Sequence, residues 1–242
     1  MLLLASAGGD LRTTLSALLD SGTDANPALN ALLRDYAAYH RVLAVLAGAF
    51  LIATTVLSVA FWRRFRRTRT PGAGWSFERR MSFWLGLVSA GTALFLALVV
   101  AANVSNVLDP QAGFAGALGL LGSPKAGTSA AQLQDAFAGW LRSGAAAVPP
   151  EVTAAIDDRL AWQRPKAMIC SVLLVAAVAL TAVAWRALVR RSRPRQGRRT
   201  AGERLMLLGA MAGVPVCLLL MLMVLGNVQG SLAPLSLTLF FG

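Results

Sequence analysis

Residues 42–67 read VLAVLAGAFLIATTVLSVAFWRRFRR. The first 21 carry no charge, and four of the last five are arginine. A hydrocarbon core about 30 Å thick needs about 20 apolar residues of helix at 1.5 Å each. Val42–Trp62 therefore reads as a transmembrane helix, and the arginines mark where it leaves the lipid. Three further stretches are uncharged and long enough to span: Met81 to Val104, Ala167 to Trp185, and Leu205 to Val228.

The whole chain agrees with this reading. Its 242 residues are 56% hydrophobic, with mean hydropathy +0.60 and only 14% charged residues. Soluble domains carry about 25% charged residues, and a disordered basic tail would lack the apolar content. Both classes are excluded. The leading MLLLASAGG has no basic n-region and too short an apolar run for a signal peptide.

The formal charge of +12 is concentrated in two loops. Residues 63–80 hold seven arginines against Glu78, a net of +6, and residues 186–204 hold eight against Glu203, a net of +7. The rest of the chain is nearly neutral at −1, so the charge is a topology signal and nucleic acid is not an expected partner. Short Arg-rich loops stay cytoplasmic. Both termini and the middle loop are then extracytoplasmic, in a plasma (inner) membrane. An arginine- and alanine-rich composition with no lysine in either loop is one expected from a GC-rich bacterial genome.

The chain also matches itself. DLRTTLSALLDSG (10–22) aligns with QLQDAFAGWLRSG (132–144), Asn26-Pro27 with Val148-Pro149, Glu78-Arg79 with Glu203-Arg204, and NVSNVLDP (103–110) with NVQGSLAP (227–234). The ordered series indicates a tandem duplication, roughly 1–121 and 122–242. Leu11, Leu15, Leu18 and Leu19 recur at helical spacing, and Leu133, Phe137, Trp140 and Leu141 take the same places in the second half. These stripes must bury against each other, the membrane surface or a partner. A Ser-Gly pair closes each such helix, and proline opens the next one.

The expected fold is all-α: four transmembrane helices in two tandem parallel repeats, with amphipathic helices capping the extracytoplasmic side. Amphipathic helices (1–41) lead into a first span (42–62), an Arg hairpin (63–80) and a second span (81–104). An extracytoplasmic helical loop (105–166) precedes the third span (167–185), the second hairpin (186–204), the fourth span (205–228) and an apolar tail (229–242). Two spans per repeat keep both halves in one orientation, unlike the inverted repeats of many transporters.

The spans hold no charged residue, which argues against a proton-coupled pump acting alone. Asn103 and Asn227 are the sharpest polar pair, at equivalent places near the outer ends of spans two and four. They could form a polar constriction on the pseudo-two-fold axis, or bond across a helix interface. Gly86 with Ala90, and Gly209 with Gly213, are small-xxx-small pairs that permit close helix packing. Gly91 and Pro215 fall at the same depth in the two halves and predict a shared bend. Cys170 and Cys217 differ in depth by about 10 Å at 1.5 Å per residue, too far for a disulfide.

His40, the only histidine, follows Tyr36 and Tyr39 and reads as part of an interfacial aromatic belt. With two cysteines besides it, no metal or cofactor is expected. The arginines at 63, 64, 66, 67, 190, 191, 193 and 195 are expected to lie against anionic lipid headgroups of the inner leaflet. The tail ending Leu-Phe-Phe-Gly should dip into the interface or dock on a partner. No catalytic set stands out. The expected role is a non-enzymatic accessory, assembly or interaction subunit of a membrane complex or homo-oligomer. The alternatives are a channel or facilitator using the asparagine pair, and a lipid-modifying enzyme in which Asp35, His40, Asp157 or Asp158 converge.

Overall fold

The computed structural model describes residues 7–22, 26–68, 75–191 and 201–242. Among these, all regular structure is helical. The order is α1 (Ala7–Ser21), α2 (Pro27–Arg67), α3 (Phe77–Leu108), α4 (Pro110–Ala117), a 3-10 turn (Leu118–Leu120), α5 (Ser129–Ser143), α6 (Pro150–Arg191), α7 (Ala201–Leu232) and α8 (Pro234–Phe241). Four helices are long and apolar enough to cross a membrane, α2, α3, α6 and α7. This is a multi-pass helical membrane protein.

The helix boundaries follow local chemistry. Asn26 opens α2: its Oδ1 accepts the Leu29 N–H at 3.0 Å while its Nδ2 donates to the Leu141 carbonyl of α5 at 2.8 Å. One amide thus serves a helix start and a helix end together. Thr128 caps α5 by accepting the Ala131 N–H, and Gly144 closes it at φ 64°, a conformation that disfavours any side chain. Pro110 and Pro234 forbid continuation of α3 and α7 and sit in the first turn of α4 and α8.

Two features differ from the sequence expectation. The proline-opened outer helix and the first span are a single 41-residue helix, and the corresponding segments at 150–191 form a single 42-residue helix. Charged and aromatic residues at 34–41 mark a change of surroundings, but none of them breaks a helix. The apolar tail, expected in the interface or on a partner, instead forms α8 and buries Leu235 and Leu239 in the chain's own core. Leu235, Leu239 and Phe240 find apolar surface within the same chain, while Phe241 stays exposed.

The fold divides into two compact units. The first comprises residues 1–44, 101–166 and 227–242. Here α1 packs on α5, and Leu11, Leu15 and Leu19 meet Phe137, Trp140 and Leu141. Leu29, Leu32 and Tyr36 of α2, Phe114 of α4 and Val152 of α6 complete the core. Full burial of such side chains contributes about 1.5–3 kcal/mol each.

The second unit comprises residues 45–100 and 167–226, and its described helical residues belong to the four long helices. Ser58 donates to the Gly86 carbonyl at 3.3 Å, and Gly86 lies against the Trp62 ring. Trp62, Phe65, Trp75 and Phe83 form an aromatic cluster with centroids 5.3–5.7 Å apart. Gly213 faces Thr181 so closely that a Cβ there would overlap the hydroxyl. The Thr181 Oγ1 lies 3.9 Å from the Cys217 Sγ, and both cysteines are free thiols.

Candidate functional site

A set of buried and half-buried polar side chains lies in the first unit, around His40 and Asn103. Asn103 is buried in α3, and its Oδ1 lies 2.6 Å from the His40 Nδ1 of α2. A carbonyl oxygen only accepts, so at that distance Nδ1 carries the proton and donates. The Asn106 amide nitrogen, 3.5 Å from the same Nδ1, is then a neighbour and not a second hydrogen bond. Tyr36 and Tyr39 meet the imidazole edge-on, with centroids at 4.4 and 5.1 Å. The Gln229 Nε2 of α7 donates to the Tyr39 hydroxyl at 2.9 Å. α2, α3 and α7 are thereby joined through four polar side chains.

A second polar contact ties α8 to α2. The Ser236 N–H donates to the Asp35 Oδ2 at 2.7 Å. The residue in the N-cap position of α8 is Ala233, which has no side chain able to accept, so the carboxylate from α2 does this work. At the other end, the Arg159 Nη2 of α6 donates to the Phe241 carbonyl at 2.6 Å. An anion at the N-terminus and a cation at the C-terminus both complement the helix dipole. Val42–Trp62 suffices to cross the core, and Asp35 precedes it by two helical turns. Burial raises its carboxyl above the ordinary value of 3.8, although hydrogen bonds from Ser236 and Leu235 pull the other way. Burial likewise lowers the Arg159 guanidinium from its ordinary value.

The residues singled out from sequence are placed as follows. Asn103 is committed to His40, whereas Asn227 is half-buried on α7. Gly86 and Gly213 each sit at a close helix contact; Ala90 is half-buried, and Gly209 is exposed with open space around it. Gly91 and Pro215 are both exposed, within helices that continue past them. Arg63, Arg64, Arg66 and Arg67 are exposed at the end of α2, and Arg190 near the end of α6. Arg193 and Arg195, and the side chain of Arg191, lie outside the described residues.

Four participants escaped sequence reading: Asn106, Gln163, Gln229 and Ser236. Gln163 is 4% exposed and packs against Gly230. Gln229 had a signal, since it interrupts a run from Leu205 to Gly242 that has no charge.

The chemistry of the cluster is hydrogen bonding between neutral groups. His40 donates its Nδ1–H to the Asn103 amide oxygen, Asp35 serves a helix end, and Asp157 and Asp158 are exposed. Among the described residues no three His, Cys, Asp or Glu side chains converge to hold a metal ion. Compared with protein-family models, curated proteins and solved structures, the chain matches none of them.

Proposed function

We propose that this chain is a non-enzymatic subunit of a membrane assembly, either a homo-oligomer or a complex with other membrane proteins. The observation that carries this reading is how little of the intramembrane surface the chain covers itself. Only 11% of the apolar window of α2, α3 and α6, and 17% of that of α7, is buried inside the chain. Lipid or other helices must cover the remainder. Tight packing and small-residue seams, which drive helix association in lipid, are used at Gly86 and Gly213 and left open at Gly209.

Several hydroxyls within the spans favour the same reading over a channel. Thr54 donates to the Phe50 and Leu51 carbonyls, Thr92 to Val88, Ser171 to Ala167 and Ser58 to Gly86. A hydroxyl whose proton is bonded to backbone offers a permeating solute only its lone pairs.

The reading includes a tandem duplication and its topology. In chain order the helices of the two halves measure 15, 41, 32 and 8 residues and then 15, 42, 32 and 8. The residues before the two short helices share a backbone conformation, Asp109 at φ −132°, ψ 81° and Ala233 at φ −137°, ψ 76°. Both Arg hairpins then face the cytoplasm and its anionic headgroups, and both termini face the other side of the inner membrane of a bacterium.

Extraction in a mild detergent followed by native mass measurement tests the role. The expected species is larger than one chain, as a homo-oligomer or with a stoichiometric partner. A strict monomer with nothing bound would overturn the proposal. In liposomes, solute flux should stay at the empty-vesicle level; flux abolished by Asn103→Leu with Asn227→Leu would support a channel instead.

A further inference from the structure

We propose that one face of α2, from Thr55 to Arg67, is a site for an anionic phospholipid, with its phosphate on Arg63 and Arg67 and an acyl chain running toward Thr55. A shallow, open cavity on this one helix face is lined by Thr55, Val56, Val59, Ala60, Arg63, Arg64 and Arg67. The lining positions fall in two rows of four-residue steps, so they share one helix face.

That face is graded in chemistry. Guanidinium groups occupy one end and aliphatic side chains the other; Val56 and Val59 are 62% and 45% exposed. From Thr55 to Arg63 the helix rises about 12 Å, most of the roughly 15 Å of one leaflet's hydrocarbon. A soluble phosphate would engage the arginine end alone, whereas a bound phospholipid would also run a chain along the exposed valines.

The arginines are not equivalent. The Arg64 Nε is held by the Glu78 carboxylate at 2.7 Å. Arg79, on α3, stacks on Phe65 and Trp75 at 4.9 and 5.2 Å. Arg66 is outside the cavity lining. Among the described residues Arg63 and Arg67 have no ion pair, and they stand one helical turn apart, where two planar forks can grip one phosphate. The proposal rests on the reading of α2 as a span whose arginines lie at headgroup level. It goes beyond general attraction to an anionic leaflet by naming one groove and two residues.

Native mass spectrometry of the full-length protein, titrated with phosphatidylglycerol or phosphatidylcholine in detergent, tests it. The wild type should retain phosphatidylglycerol selectively. Arg63→Gln with Arg67→Gln should weaken that retention roughly thirtyfold, as expected for losing two headgroup-directed charges of about 1 kcal/mol each. Arg66→Gln with Arg80→Gln, the same charge change off the groove, should alter it less than about twofold. Equal losses in both pairs would mean diffuse charge attraction and overturn the site. Displacement of the lipid by an equal concentration of glycerophosphoglycerol, the headgroup without chains, would point to a soluble phosphate ester and overturn it too. If the first pair fails to fold, Val59→Trp, which fills the groove and spares the arginines, should reduce retention equally; unchanged retention overturns the proposal. A cysteine at Ser76 reports topology separately. Wrong-side labelling there with intact lipid selectivity faults the orientation alone, and correct labelling without selectivity faults the site alone.

Discussion

The Asp35 carboxylate of α2 accepts the Ser236 N–H of α8 at 2.7 Å, across 201 positions of sequence. Together with Arg159 on the Phe241 carbonyl, it holds the last helix at both ends. The other short proline-led helix, α4, uses a local group, Asp109, on the Ala112 N–H, and Arg12 of α1 donates to the Leu121 carbonyl just beyond it. Asp35→Ala should cost about 1 kcal/mol, the usual loss of a helix-capping acceptor, and Asp35→Asn less. Hydrogen exchange at residues 235–241 reads this directly, with faster exchange in the alanine variant. Unchanged exchange would mean that apolar packing alone holds α8.

The same carboxyl gives a pH dependence with a defined sign. Its folded-state pKa is raised above 3.8, so between these values the folded chain binds more protons than the unfolded one. Its contribution therefore falls as pH rises through that window, opposite to a salt-bridged carboxylate. Comparing wild type with Asp35→Asn, the stability difference should move in favour of the asparagine variant as pH rises from about 4. Parallel pH profiles would contradict it.

His40 and Asn103 should be energetically coupled. Asn103→Leu leaves the His40 Nδ1–H without its acceptor, which costs about 1–3 kcal/mol when the donor is buried. In a double-mutant cycle of His40→Ala and Asn103→Ala the coupling should reach about 1 kcal/mol. Strict additivity, measured by thermal unfolding in detergent, would show that the 2.6 Å contact contributes nothing net.

The two glycines of Gly209-Ala-Met-Ala-Gly213 should behave oppositely. Gly213→Ala must displace the Thr181 side chain and should cost about 1–3 kcal/mol as overpacking. Gly209→Ala meets open space and should be neutral or stabilising by up to about 1 kcal/mol of helix propensity. If position 209 proved the more sensitive in the assembled protein, that glycine would lie at a contact between chains.

These contrasts show where sequence reading stops. The four apolar helices were legible because lipid imposes a length and forbids charge, a constraint written locally into residues such as 42–62. Asn103 stood out for the same reason, as a buried amide in an apolar run. Its pairing with His40 was not legible, because it depends on the rotational phase of α2 against α3. Nor could local sequence show that Asp35 caps α8, since the missing cap at Ala233 and its replacement are far apart in the chain. The continuity of α2 through Arg41 was hidden by polarity. Residues 34–41 change the medium the helix crosses, not its hydrogen bonding. The apolar tail was read as seeking lipid or a partner because its own docking surface, around Phe114 and Leu32, is assembled only in the fold.

The central claim is a four-span chain whose two Arg hairpins share one side and whose termini share the other. Single cysteines at Ser76, Gly197, Lys125 and Gly242, in a background with Cys170 and Cys217 replaced by alanine, can be probed with a membrane-impermeant maleimide on intact cells. The account predicts that Lys125→Cys and Gly242→Cys label from outside, while Ser76→Cys and Gly197→Cys label only after the membrane is opened. Labelling of Ser76→Cys and Gly197→Cys from opposite sides, or of Gly242→Cys together with the hairpins, would contradict it.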